Sequence, residues 1–284
     1  MKRLSLTWLL ISSLSLASFA QAETQMPQSR FADFDGVKVH YQAVGAGSKA
    51  VVFVHGWTCS ADFWRQSITA LPEYSVIAID LPGHGHSDKP RTDYTMDYFA
   101  RSIEAVMRDA GTKAAVLVGH SMGTPVIRQF YRLYPQQTLG LVIVDGSLRS
   151  VARKEVERSI APLRVNYPAG AAKSVDGMLE PIRDEKLKQE IRSAMLATPD
   201  YVGLSALEGM MDEKIWTNDQ INVPVLAILA QSPWWKPDTE TVYRSIAPDL
   251  DFRMWQDVSH FLMMERPAEF NEAVRGFISK NKLL

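Results

Sequence analysis

The sequence predicts an α/β protein with a mostly parallel central sheet flanked by helices and one inserted helical segment. Three observations carry that expectation. Short β-branched runs recur along the chain, several of them almost continuously apolar, as strands buried on both faces must be. Amphipathic stretches separate them at the spacing of βαβ units. One interval, residues 148–222, breaks this alternation with helical patterns alone.

Composition narrows the class before any element is placed. The 284 residues are 46% hydrophobic, 22% charged and 10% aromatic, which is globular. A net charge of -1 leaves no basic footprint for nucleic acid. A single cysteine, Cys59, excludes an intramolecular disulfide and any cysteine-rich metal centre. That thiol suits an exported chain only if buried or tolerated.

The chain begins with Lys2 and Arg3, followed by a serine-diluted apolar run over residues 4–20 and the small-x-small triplet Ala20-Gln21-Ala22. This is the pattern of a signal peptide cleaved after Ala22. The run is short of the ~20 apolar residues a membrane span needs, so no span is expected after cleavage. The absence of a cysteine near the cleavage point excludes a lipoprotein. Residues 1–22 are therefore read as a signal peptide, and the product as periplasmic or secreted by a bacterium.

Residues 31–44 alternate apolar and polar about Asp35-Gly36, which predicts a β-hairpin. Further strands are expected at 50–54, 74–79, 114–118, 139–144, 223–230 and 251–255. Helices are expected at 62–71, 95–110, 122–134, 237–247 and 267–280. The interval 148–222, punctuated by Pro162, Pro168, Pro181 and Pro199, is too long for a connection and too patterned for a linker. Residues 23–147 and 223–284 then form the core, and 148–222 a helical cap over it.

The chemistry sits at strand ends. Gly119-His120-Ser121-Met122-Gly123 is G-x-S-x-G, between a strand and a helix as that motif requires. The turn lifts the Ser121 hydroxyl clear of the sheet at the positive end of the next helix. Serine needs a general base beside it. In this arrangement the base lies later in the chain, and His260 is the one histidine of six that follows Ser121.

The acid that should orient His260 has two candidates. The usual place, after the penultimate strand, offers no carboxylate until Asp238. Asp145, directly after strand residues 139–144, is the favoured position. His55-Gly56-Trp57 ends the first parallel strand, and the N–H groups of Trp57 and Met122 are the expected oxyanion hole. His55 itself reads as a side chain bonded to backbone. His84 and His86, in Gly83-His84-Gly85-His86-Ser87-Asp88, are too weakly spaced for a metal site, and none is expected. No dinucleotide fingerprint occurs, so no cofactor is expected either.

Together, HGW at 55–57, DLPGHGHSD at 80–88, GHSMG at 119–123 and SHFLMMERP at 259–267 resemble the α/β-hydrolase superfamily near its esterase, lactonase and peroxidase-like branches. The resemblance implies an α/β-hydrolase fold and a cap that shapes an acyl pocket. It also implies a Ser-His-acid mechanism on a small carboxylic ester or lactone. Serine at 121 departs from the aspartate nucleophile of dehalogenases and epoxide hydrolases. Met210, Trp234 and Trp235 are candidate pocket walls, alongside Met178, Met195, Met211 and Trp216. A cofactor-free perhydrolase or a carbon–carbon bond hydrolase would share these motifs, and an acyltransferase is a further alternative. A non-catalytic binding protein on this fold would usually lose a triad member, whereas Ser121 and His260 are both present.

Overall fold

The computed structural model describes residues 26–149 and 153–284. The segment read as a signal peptide lies outside the described residues. Among the described residues, eight strands form one sheet in the order β1-β2-β4-β3-β5-β6-β7-β8. β1 (Gln28–Phe34) and β2 (Val37–Val44) are an antiparallel hairpin, and β2 also runs antiparallel to β4 (Ser75–Ile79). The hairpin turn places Asp35 at φ 52° and Gly36 at φ 83°, the double positive φ of a tight two-residue turn.

From β4 onward all pairings are parallel: β3 (Lys49–Val54), β5 (Ala114–His120), β6 (Thr138–Val144), β7 (Val225–Ala230) and β8 (Leu250–Trp255). Their apolar runs are explained by burial: the stretches 50–54, 115–118 and 225–229 lose essentially all contact with solvent.

Where residues 62–71 read as one helix, the chain makes a 3₁₀ turn (Ala61–Trp64) and one α-helical turn, α1 (Arg65–Ile68). The Asp80 carboxylate pins the start by accepting from Ala61 N–H at 2.6 Å. The 95–110 pattern is α2 (Met96–Asp109), capped by Thr95 accepting from Tyr98 N–H at 3.1 Å. α3 (Gly123–Leu133) follows β5 and packs on α2.

Between β6 and β7 lie α4 (Arg153–Val165), α5 (Tyr167–Leu179), α6 (Glu185–Leu196) and α7 (Asp200–Gly209). Three of the four prolines mark breaks between them: Pro168 opens α5, Pro181 lies in the turn before α6, and Pro199 precedes α7. Pro162 alone sits inside a helix. Buried Arg128 of α3 holds both ends of this segment, donating to Leu148 O at 2.7 Å and Asp219 O at 3.2 Å. Arg132 adds Ile215 O at 2.8 Å and the Asp219 carboxylate at 2.6 Å.

α7 lies over the ends of β3 and β4. Trp57 Nε1–H donates to Gly203 O at 2.7 Å, Thr198 Oγ1–H to Thr58 O at 3.1 Å, and Tyr94 N–H to Ser205 Oγ at 2.9 Å. The last helices are α8 (Thr239–Ile246), α9 (Leu262–Glu265) and α10 (Pro267–Asn281). Pro267 separates α9 from α10, because the residue before a proline is pushed out of helical geometry; Arg266 sits at φ -128°.

Candidate active site

Ser121 sits where β5 turns into α3, at φ 51°, a left-handed conformation rare for a residue with a Cβ. The turn closes through Ser121 N–H to Val144 O and Thr124 N–H to Ser121 O, both 2.9 Å. Its glycines are sterically required. A Cβ on Gly119 would lie 2.5 Å from Gly123 O, and one on Gly123 2.5 Å from Val54 O. This packing places the serine just ahead of the α3 N-terminus, where the helix dipole favours developing negative charge.

His260 leaves β8 on a braced loop. Ser259 N–H donates to Glu265 Oε1 at 2.7 Å, and Arg266 holds Gln256 O at 2.9 Å. His260 Nδ1 lies 2.6 Å from Asp145 Oδ2. Asp145, 8% exposed, follows β6 at φ 42° with its N–H on Ile228 O at 2.9 Å. Its other oxygen accepts Ala230 N–H at 2.8 Å and Trp235 Nε1–H at 3.2 Å. A buried carboxylate needs such donors, and here they fix which oxygen faces the imidazole.

Of the two acids the sequence offers, the structure brings Asp145 to His260. Asp238 instead accepts from Arg149 at 3.1 Å, with its side chain 60% exposed. Trp235, expected as a pocket wall, directs its indole N–H to Asp145. Trp234 is 63% exposed, and half-buried Met210 caps the end of α7, its carbonyl accepting from Trp216 Nε1–H at 2.7 Å.

A sequence model described as the alpha/beta hydrolase fold matches residues 49–176. The dihydrolipoyllysine-residue acetyltransferase component of the acetoin cleaving system of Cupriavidus necator is 38% identical over 117 residues, 41% of this chain and 31% of that protein. The chain spans less than half the length of the curated relatives it matches. The solved esterase of Exiguobacterium antarcticum superposes with a TM-score of 0.77 at 18% identity, covering 89% of this chain and all of that one. An N-acyl homoserine lactone degrading enzyme superposes at 0.72 with 26% identity, covering 87% and 99%. The chain has the α/β-hydrolase fold.

In this α/β-hydrolase the end of β3 abuts the serine turn. A Cβ on Gly56 would lie 3.1 Å from Ser121 Cβ and 2.9 Å from His120 Nδ1. Trp57 and Met122, the expected oxyanion residues, are 7% and 2% exposed on the two sides of that contact. His55 bonds backbone at both nitrogens: Nδ1–H donates to Gly56 O at 2.8 Å and Nε2 accepts Leu81 N–H at 3.0 Å. Burial holds its pKa below the ordinary histidine value. Burial and the neighbouring His55 push buried His84 down to about 3, while Nδ1–H donates to Pro82 O at 3.0 Å. Cys59 is buried, its thiol pushed well up by burial.

His120's part is not among the roles read from the sequence. Its Nε2–H donates to His260 O at 2.9 Å, and the two rings lie 4.7 Å apart. Burial and the proximity of His260 hold His120 well below the ordinary value, so it stays a neutral strut between the Ser121 turn and the backbone of His260. Its position inside GHSMG was the available signal. A cavity of about 540 Å³ opens beside this arrangement, between Arg183, Asp184 and Leu187 of the inserted segment and Gln256, Asp257 and Val258 of the His260 loop.

Proposed function

We propose that this α/β-hydrolase cleaves a small carboxylic ester or lactone through an acyl-enzyme on Ser121. The observation that carries the reading is the 2.6 Å contact between His260 Nδ1 and the Asp145 carboxylate, in a chain whose Ser121 is held at φ 51° in the turn from β5 to α3. A carboxylate on Nδ1 fixes the tautomer with the proton there. Nε2 is then the free lone pair, available as a base.

His260 Nε2 takes the Ser121 proton as Oγ attacks the carbonyl carbon. The N–H groups of Trp57 and Met122 hold the oxyanion, preorganised by the packed turns that carry them. Collapse expels the alcohol, which takes the proton from Nε2; in a lactone the alcohol stays tethered to the acyl chain. Water, deprotonated by the same nitrogen, then attacks the acyl group and restores Ser121. Asp145 stabilises the imidazolium in both halves without itself taking the proton.

In this reading 148–222 is the cap over the acyl pocket, and residues 1–22 direct export to the periplasm or beyond. The 26% identity to an N-acyl homoserine lactone degrading enzyme supports including lactones among the substrates. Similarity to an acetyltransferase component supports a second reading, in which an alcohol rather than water takes the acyl group.

The test combines a fluorophosphonate probe with short acyl p-nitrophenyl esters and an N-acyl homoserine lactone. The wild type is expected to label at Ser121 and to turn over, with the Ser121 adduct and turnover both lost in Ser121→Ala. A folded wild type that neither labels at Ser121 nor hydrolyses any of these overturns the reading. Product analysis with added alcohol separates hydrolysis from transfer, and N-terminal sequencing of the exported protein tests cleavage after Ala22.

A further inference from the structure

A second Ser-His-Asp arrangement lies on the β1–β2 hairpin, at the opposite end of the strand order from β8. Ser29 Oγ is 2.8 Å from His40 Nε2, and His40 Nδ1 is 2.8 Å from Asp80 Oδ2. The hairpin register sets Ser29 opposite Gln42 and Phe31 opposite His40, so alternation puts these four side chains on one face. Asp80 arrives from the end of β4. His40 and Asp80 are 3% and 1% exposed, whereas Ser29 is exposed.

The hydrogen bonds dictate where the protons are. Asp80 also accepts N–H groups from Ala61 at 2.6 Å and His86 at 2.9 Å. Burial alone would raise its pKa, but His40 and these two amides hold it at about 2. An ionised carboxylate only accepts, so His40 Nδ1 carries a proton toward it. With the ring neutral, Nε2 is bare and accepts the Ser29 hydroxyl. A nucleophile bonded to a base that is itself oriented by a third group is the signature of an activated serine. A crevice of about 310 Å³ opens over it, lined by Pro27, Ser29, Phe31, His40, Gln42 and His86.

We propose that Ser29 is a second nucleophile of this protein, with His40 as its base and Asp80 as the orienting carboxylate, for small activated acyl or phosphonyl groups. Ser29 Oγ bonds to the carbonyl carbon or phosphorus as its proton passes to His40 Nε2. The leaving phenol, alcohol or fluoride departs with that proton, leaving the group on Ser29. Gln42 and His86, in the crevice wall, are the side-chain donors at hand for the developing oxyanion. Ser29 lies in extended strand with no strained turn or helix start behind it, so slow acylation is expected rather than rapid turnover.

A metal ion is the rival occupant, since ligand atoms of His40, Asp80 and His86 fall within 4.8 Å of one another. Two ligands on one tetrahedral zinc stand roughly 3.4 Å apart. His40 Nδ1 and Asp80 Oδ2 are 2.8 Å apart, which is a hydrogen bond with a proton between them.

The experiment uses the full-length Ser121→Ala protein, a fluorophosphonate probe and peptide mapping by mass spectrometry. An adduct at Ser29 forming about 100-fold faster than at exposed Ser48 is expected, the lower bound of what a positioned base contributes. It should vanish in Ser121→Ala/Ser29→Ala and slow to the Ser48 rate in Ser121→Ala/His40→Gln, whose fold is checked by circular dichroism. If the His40 variant does not fold, the Ser29-to-Ser48 rate ratio in Ser121→Ala still decides. No adduct, or one no faster than at Ser48, overturns the second nucleophile. Because Ser121 is already removed, either result leaves the Ser121 reading untouched.

Discussion

At the β6–β8 edge Asp145 meets His260 at 2.6 Å, and on the hairpin Asp80 meets His40 at 2.8 Å. Each acid is buried, and each takes further N–H donors on its carboxylate: Ala230 and Trp235 for Asp145, Ala61 and His86 for Asp80. The pairs differ in what surrounds the serine. Ser121 is forced to φ 51° by glycines that admit no Cβ, with the end of β3 and the start of α3 against it. Ser29 lies in an extended strand. A histidine–aspartate pair sets a proton's position, but backbone donors around the nucleophile stabilise the charge that builds there. The difference between the two regions therefore lies in the backbone, and rates should expose it.

The largest effect belongs to Ser121→Ala, which should lower ester turnover by about 10⁵-fold or more. Hydrolysis kinetics check this directly, and a residual rate within tenfold of wild type would make the hairpin site the principal one. Next comes the acid. Asp145→Asn should cost on the order of 10⁴-fold in kcat, because the wrong tautomer is then held at Nδ1. Asp238→Asn, which removes only an exposed ion pair with Arg149, should change kcat less than about twofold. Reversal of those two results would place the acid at Asp238.

Asp80 sharpens the comparison through stability. Its pKa is depressed to about 2, against about 3.9 in an unfolded chain. Its contribution is therefore complete above pH ~4 and is lost as pH falls toward 2, amounting to roughly 2–3 kcal/mol. His84, held neutral down to about 3, adds acid sensitivity from pH ~6.5 downward, since only the unfolded chain takes up its proton over that range. Urea midpoints should thus fall from pH 6.5 to 3 in the wild type. Asp80→Asn should be less stable at pH 7 by that amount and flatter below pH 4. An unchanged midpoint at pH 7 would mean that the hairpin pair contributes nothing to the fold.

The parallel strands were legible because burial on both faces leaves almost no polar residue in them. The serine turn was legible because its strain demands glycines at fixed offsets. His260 followed from chain order, and Asp145 from its place at the end of a strand. The 62–71 helix was over-read, since its amphipathic pattern carries no trace of the Asp80 carboxylate that fixes its start. The Ser29–His40–Asp80 arrangement was invisible for a similar reason. A diagonal neighbour across a hairpin and a residue at the end of another strand converge only when the sheet forms. Trp234 and Trp235 read alike as adjacent aromatics, yet one is 63% exposed and the other bonds the acid.

That bond yields a small loss and the most discriminating one. Trp235 Nε1–H reaches Asp145 Oδ1 at 3.2 Å, while Ala230 N–H holds the same oxygen at 2.8 Å. Trp235→Phe keeps an aromatic ring but removes one of two donors, so the carboxylate stays anchored through backbone. The loss should be about 1 kcal/mol, or roughly fivefold in kcat/KM. If Trp235 acts by orienting the acid, the fall appears in kcat for every acyl chain length. If it acts as a pocket wall, it appears in KM and grows with chain length. A series of p-nitrophenyl esters from acetate to octanoate separates the two, and a purely KM effect would return Trp235 to the pocket.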